Sequence, residues 1–216
     1  MVVKGRVEDG IVVWCCLRHG RLGWIEVGGG WERRVGKESP IPRSFLKEQF
    51  QSSQQRVVLE AIITTTRQEK KDLASEIAKQ LASKDSLIFH TAFQALAQLN
   101  ASEVALEFFD KDETRRGAAY ALMRMHDEAL VDKLIALLDQ QIALQTKQAA
   151  VSVLARLYHR EAKWQGDSWS TRPDTRGPYY QLTTWSASDK ILAKLNALLE
   201  LDSISPELNA RIVSEL

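Results

Sequence analysis

Residues 162–187 concentrate the side chains best suited to gripping a partner. Trp164, Trp169, Tyr179, Tyr180 and Trp185 make up half of the ten Trp and Tyr residues in the chain, and Arg172, Asp174 and Arg176 lie among them. Trp, Tyr and Arg are the types enriched at binding hot spots. On that ground these eight residues are the candidate partner-docking set, with a partner domain, a sugar or an anion as the matching ligand. Arg172-Pro173-Asp174-Thr175-Arg176-Gly177-Pro178 has the composition of a double turn, because proline fixes φ, aspartate closes an Asx-turn and glycine permits φ > 0. A second use of the same residues is purely structural: the aromatics clamp the segment onto the neighbouring helices and an arginine pairs with Asp174. Either way, five large aromatics predict an ordered loop, since burial must offset the entropy of fixing the chain.

Other chemistry-bearing residues fall into weaker patterns. His90, His126 and His159 are far apart, and none has a second histidine at i+4 as a helical zinc site requires. They read as structural, with His126 serving the turn before Asp127. Asp110, Asp112 and Glu113 could in principle pair for acid–base catalysis. Helix caps and first-turn acids account for them equally. Cys15 and Cys16 are adjacent, which suits neither a relaxed disulfide nor a zinc or haem motif. Gly28-Gly29-Gly30 lacks the lysine and following helix of a phosphate loop, and no Gly-x-Ser-x-Gly elbow occurs. No cofactor, metal or catalytic set is expected.

The elements that must carry these residues divide the 216-residue chain in two. Residues 1–43 hold eight of the eleven glycines, three of the six tryptophans and both cysteines, with eight basic residues against five acidic. Residues 44–216 hold 21 basic and 23 acidic residues, and between Gln51 and Glu161 contain one glycine and no proline. Stretches 2–7, 11–17 and 22–27 are short and rich in Val, Ile and Trp, with turn residues between them. They leave two readings open: a three-strand β-meander leaning on the helices, or a segment without fixed structure. The longest apolar run, 11–17, is too short to span a membrane and too acidic in its lead-in for an export signal.

From about residue 44 the pattern is helical. Helices are expected over 53–66, 70–82, 85–99, 104–109, 112–125, 129–138, 142–158 and 191–201, and from 206 onward. Asp85, Ser102, Asp112, Asp127, Ser188 and Ser205 are the expected caps, and Pro206 falls in a first turn. Ala95-Leu96-Ala97-Gln98-Leu99 matches Ala121-Leu122-Met123-Arg124-Met125, and both match Val153-Leu154-Ala155-Arg156-Leu157. An alanine stands three residues before each block: Ala92, Ala118, Ala150. Recurrence of this kind is the signature of an α-solenoid. The expected fold is all-α, a right-handed ARM-type superhelix of four or five antiparallel helix pairs, with a non-helical N-terminal segment.

This pattern resembles the HEAT-like repeats of phycobilisome bilin lyases. Leu154-Ala155-Arg156-Leu157-Tyr158-His159-Arg160-Glu161, then Thr171-Arg172-Pro173-Asp174-Thr175-Arg176-Gly177-Pro178-Tyr179-Tyr180 and Trp185, are similar to the HEAT segment of large planctomycete-type multidomain proteins. In those proteins the segment lies between a dehydrogenase-like propeller and a cytochrome c module. The resemblance covers about residues 50–216 and does not extend to residues 1–43. It implies a spacer or interaction scaffold rather than an enzyme, with protein or flanking domains of the same polypeptide as partners, and an exported parent protein. Neither flanking module is present and no Cys-x-x-Cys-His occurs, so haem and dehydrogenase chemistry do not carry over. A helical pattern still running at Leu216 leads to the expectation of a piece of a longer chain.

Two rival functions have sequence features of their own. HEAT-like repeats include enzymes of the bilin-lyase and DNA-glycosylase kind, which would require an acid and a base converging in a groove. Arg115, Arg116, Arg124, Lys147 and Arg156 fall on the second helices of successive pairs, a row that could meet nucleic acid. Glu103, Glu107, Asp110, Asp112, Glu113 and Glu128 interleave with them, and neutralising phosphates needs a net basic stripe. Nucleic acid is therefore the disfavoured partner.

Overall fold

A computed structural model describes residues 2–4, 11–16, 25–27, 30–32, 41–163, 181–201 and 204–215. The chain divides into two compact units, Met1–Glu76 and Ile77–Leu216.

In the first unit, β1 (Val2–Lys4), β2 (Ile11–Cys16), β3 (Ile25–Val27) and β4 (Gly30–Glu32) form an antiparallel meander in chain order. Val3 lies opposite Cys15, Val12 opposite Glu26, and Glu26 opposite Trp31. The sequence expectation of a meander held three strands, and the fourth is a difference from it. Gly30 pairs with Val27 and opens β4. Helices α1 (Arg43–Gln49) and α2 (Gln55–Arg67) follow and pack on each other. Leu46, Phe50, Val58, Leu59 and Ile62 are buried. α2 ends with Glu69 in the left-handed region (φ 54°), the Glu69 N–H on Thr66 O and the Lys70 N–H on Thr65 O. That is a Schellman closure, and it satisfies carbonyls the helix leaves open.

The division between units falls within α3 (Ala74–Lys79), which continues into a 3₁₀ turn, Gln80–Ala82. The second unit then holds α4 (Ser86–Gln98), α5 (Ser102–Glu107), α6 (Asp112–Leu122), α7 (Glu128–Leu138) and α8 (Leu144–Tyr158). A two-stranded ribbon comes next, β5 (Arg160–Glu161) with β6 (Leu182–Thr183), followed by α9 (Ser188–Leu199) and α10 (Pro206–Glu215). Every second helix stacks on the next of its kind: α4 on α6, α6 on α8, α8 on α10. The intervening helices cover them, α5 on α6, α7 on α8, and α9 on both α8 and α10. This is the contact pattern of an all-α solenoid of antiparallel helix pairs, in which each repeat buries its apolar face only against its neighbours.

The repeated alanines explain how the second helices come together. Ala92, Ala118 and Ala150 are fully buried, as are Leu96, Leu122 and Leu154 one turn later. A small residue at the crossing lets backbones approach, and the leucine fills the adjacent groove. The closest approach is at Gly117, where an added Cβ would lie 2.8 Å from Leu81 Cδ2 and 3.0 Å from Leu81 Cβ and Phe89 Cε2.

Capping differs in part from expectation. Asp85 accepts from the N–H groups of Leu87 (2.8 Å) and Ile88 (3.1 Å), and Asp127 from Ala129 (2.9 Å). Ser205 Oγ accepts from Leu208 N–H (3.2 Å). Ser102, Asp112 and Ser188 are not caps: the cap positions belong to Ala101, Lys111 and Ala187, and each lacks a side-chain bond. Asp112 is taken by Arg115 at 2.7 Å, and Ser188 by groups on either side of it in space. A side chain engaged by another group is not available to the helix end.

Candidate functional site

Residues 164–180 lie outside the described residues, and with them Trp164, Trp169, Arg172, Asp174, Arg176, Tyr179 and Tyr180. The root of that segment is described. β5 pairs with β6 with Arg160 opposite Thr183, and Ala162 N–H donates to Gln181 O at 2.8 Å. Trp185, the described member of the docking set, is half-buried against the last turn of α8.

What Trp185 does there follows from the helix end. The last four carbonyls of an α-helix have no partner within it. At α8 three successive carbonyls, those of Leu157, Tyr158 and His159, receive side-chain donors from elsewhere. Trp185 Nε1–H donates to Leu157 O (2.7 Å), Ser188 Oγ–H to Tyr158 O (2.6 Å), and His126 Nε2–H to His159 O (2.8 Å). Ser188 Oγ also accepts from Trp185 N–H at 2.9 Å, and the His126 and Trp185 rings meet edge to face at 5.5 Å. His126 is thus structural, but it serves the end of α8, 33 residues on, and not the turn beside it. Burial lowers the pKa of its imidazole below the ordinary 6.5, the nearby charges of Arg156 and Arg160 lower it further, and the bond to His159 O opposes them.

The acidic cluster is dispersed by the fold. Asp110 Oδ1 accepts from Thr146 Oγ1 (2.8 Å) across to α8, Asp112 pairs with Arg115, and Glu113 is exposed. A cleft of about 270 Å³ opens between α5, α7 and α8, lined by Leu106, Phe109, Ala136 and Leu137 with Asp110 and Lys133 at its polar edge. Lys133 is engaged by Glu103, so the two ionisable groups of the cleft each have another partner. Among the described residues, no three His, Cys, Asp or Glu side chains are placed to hold a metal ion, and no helix is long and apolar enough to cross a membrane.

A surface that sequence reasoning only half located lies on α4 and α6. Phe89, Phe93 and Tyr120 form an edge-to-face cluster, with centroids 5.5 Å (Phe89–Phe93), 6.2 Å (Phe89–Tyr120) and 5.5 Å (Phe93–Tyr120) apart. The Arg116 guanidinium lies over Phe89 (5.6 Å) and Tyr120 (5.5 Å), and that of Arg124 over Phe93 (4.9 Å). Arg124 Nη1 also donates to Tyr120 O at 2.7 Å. Both arginines are exposed and, among the described residues, neither meets a carboxylate. Arg115, expected in the same row, turns inward instead and bonds Asp112 and the Asp110 carbonyl.

The two rows of helices differ in how their charges are used. Along the first helices, Glu103 of α5 pairs with Lys133 of α7, Asp132 of α7 with Lys190 of α9 (2.6 Å), and Asp139 at the end of α7 with Lys194. Ser186 also donates to Glu128. Among the second helices, α4 carries no Asp, Glu, Lys or Arg, and α8 carries Lys147 and Arg156 without an acid. The acids of α6, Asp112 and Glu113, sit in its first turn. Of the acids that interleave along the sequence, Glu103, Glu107 and Glu128 therefore belong to the first helices, while Asp112 and Glu113 stay on α6 with Arg115 and Arg116.

No protein-family model and no curated protein sequence matches the chain. Among solved structures it is similar to a designed armadillo repeat protein described in complex with the peptide (KR)4, at 14% identity over 79% of this chain and 78% of that one, with a TM-score of 0.36.

Proposed function

We propose that this chain is a non-catalytic helical-repeat scaffold that mediates protein or inter-domain contacts. The observation that carries this reading is the row of second helices, stacked through alanine and leucine, with Arg116 and Arg124 over aromatic rings and, among the described residues, no carboxylate taking them. Such a face offers recognition groups without bringing an acid and a base to one point. The similarity of residues 154–185 to an inter-module segment supports a flanking module of the same polypeptide as one partner. Trp185 is committed to the end of α8, so docking by the 162–187 segment rests on its seven other residues.

Photo-cross-linking tests this. Benzoylphenylalanine placed at Gln94 on α4 or Ser152 on α8 is expected to trap a defined partner, while the same probe at Glu107 on α5 or Ala136 on α7 is not. Trapping confined to α5 and α7 would overturn the reading. So would turnover in a base-excision or bilin-attachment assay that a single substitution abolishes, which is the outcome for a HEAT-like enzyme.

A further inference from the structure

Resting on the scaffold reading, the chemistry of its partner can be taken from α6. Arg116, Tyr120 and Arg124 follow at i, i+4 and i+8, so they form one stripe along the helix. Phe89, Phe93 and Tyr120 hold both guanidiniums within 5.6 Å of a ring centroid, and both arginines are exposed. Four other arginines are spent on carboxylates: Arg43 on Asp72, Arg56 on Glu60, Arg115 on Asp112 and Arg211 on Glu215. Among the described residues, Arg116 and Arg124 bond only the Tyr120 hydroxyl and carbonyl.

A planar fork with its edge in solvent matches a carboxylate, to which it gives two parallel charge-assisted bonds. Six helical rises of 1.5 Å to Leu122 and two tighter ones of about 2 Å through the turn that follows set the two arginine Cα atoms about 13 Å apart. Four residues of an extended chain, at about 3.3 Å each, cover the same span, and residues four apart in such a chain share a face. We propose that the Arg116–Tyr120–Arg124 stripe binds an extended acidic peptide segment of a partner protein, its carboxylates seated on the two ring-stacked guanidiniums. The field around the stripe has the right sign. Helices α4, α6 and α8 with Arg124 carry five basic residues and two acidic ones, whereas α5, α7 and α9 carry three basic and five acidic. The sign reverses at α10, with Glu207, Glu215 and Arg211, so the acidic segment is placed toward α4 and α6.

The test is fluorescence anisotropy on the full chain with a fluorescein-labelled peptide of five Glu-Ser repeats. Arg116→Gln with Arg124→Gln should weaken binding about tenfold, as expected when charge-assisted bonds are lost. The double Arg→Lys variant, which keeps charge but loses the fork, should fall between. Glu113→Gln removes the acid one turn before Arg116 and should tighten binding, which keeps the test informative if the double variant melts early. The proposal is overturned by binding to the double Gln variant within about twofold of wild type, a difference too small for a lost bidentate contact. Equal affinity for a Lys-Ser peptide, tighter binding of a ten-nucleotide oligothymidine, or no binding to the acidic peptide at about 1 mM would each overturn it as well. A photo-cross-linked partner retained by the double Gln variant sinks this inference and leaves the scaffold reading standing.

Discussion

Gly117→Ala sets helix propensity against packing, and the structure decides which prevails. Gly117 lies inside α6, where alanine is better than glycine by about 1 kcal/mol. On propensity alone the variant should be more stable. The added methyl, however, would sit 2.8 Å from Leu81 Cδ2 and 3.0 Å from both Leu81 Cβ and Phe89 Cε2. The Leu81 Cδ2 atom could rotate away, but Leu81 Cβ moves only with the backbone of its 3₁₀ turn, and Leu81 is 1% exposed. The Phe89 ring is held by Phe93 and Tyr120. Overpacking a site that cannot give costs about 1–3 kcal/mol. The balance is a net loss of about 1 kcal/mol, read as a fall in the urea midpoint at unchanged slope by far-ultraviolet circular dichroism. A Leu81→Ala background supplies the second half of the cycle. It removes the 2.8 Å contact with Cδ2 but keeps Leu81 Cβ and the Phe89 ring, so Gly117→Ala should there cost less than in the wild-type background without becoming neutral, a coupling of about 0.5 kcal/mol between touching residues. A stability gain from Gly117→Ala in the wild-type background, or additivity in the cycle, would refute the close approach as the reason for glycine.

Three further outcomes follow from the same geometry. Trp185→Ala should cost about 3 kcal/mol through lost packing and a bare Leu157 carbonyl, and Trp185→Phe, which keeps a ring beside His126, about 1–2 kcal/mol, both by thermal or urea unfolding. His126 has its pKa lowered in the fold, so the unfolded chain takes up the proton first; its contribution to stability is full above pH 6.5 and is lost as pH falls through the lower folded value. The stability gap between wild type and His126→Gln should therefore narrow on acidification below pH 6.5, and a gap that widens would contradict the burial argument. Asp85→Ala removes two cap bonds and should cost about 1 kcal/mol, whereas Asp112→Ala, at a position that caps nothing, should cost less than half of that.

The fold was legible because its signals are local or periodic. Ala92, Ala118 and Ala150 recur with a leucine one turn on, and amphipathic periodicity with few glycines suffices to place helices. Asp85 and Asp127 were legible as caps for the same reason, since the groups they bond lie two or three residues away. Partnerships across the fold were not. Nothing beside His126 announces that its donor will reach His159 O, and nothing beside Ser188 says that its hydroxyl will donate to Tyr158 O. The aromatic support of Arg116 and Arg124 was half visible. Tyr120 stands at helical spacing from both arginines, but Phe89 and Phe93 are on another helix, and only the stacking of α4 on α6 puts ring beneath guanidinium.

Charge makes the same point at the level of the whole surface. Residues 44–216 are nearly balanced, with 21 basic and 23 acidic residues, and that balance seemed to argue against any charged face. In a solenoid of helix pairs it cannot. Alternate helices belong to different rows, so any property that alternates with the helices is sorted onto separate faces while its average along the chain stays near zero. The first row takes the larger share of the acids and ties them to lysines of the next repeat, Glu103 to Lys133 and Asp132 to Lys190. These exposed pairs are each worth little in stability. Their consequence for the rest of the surface is that the lysines which bridge repeats are spent on the first row, with the acids they meet there. The second row coheres by apolar contact and has no need of its arginines for assembly. Groups not required by the fold are the ones left to meet something outside it.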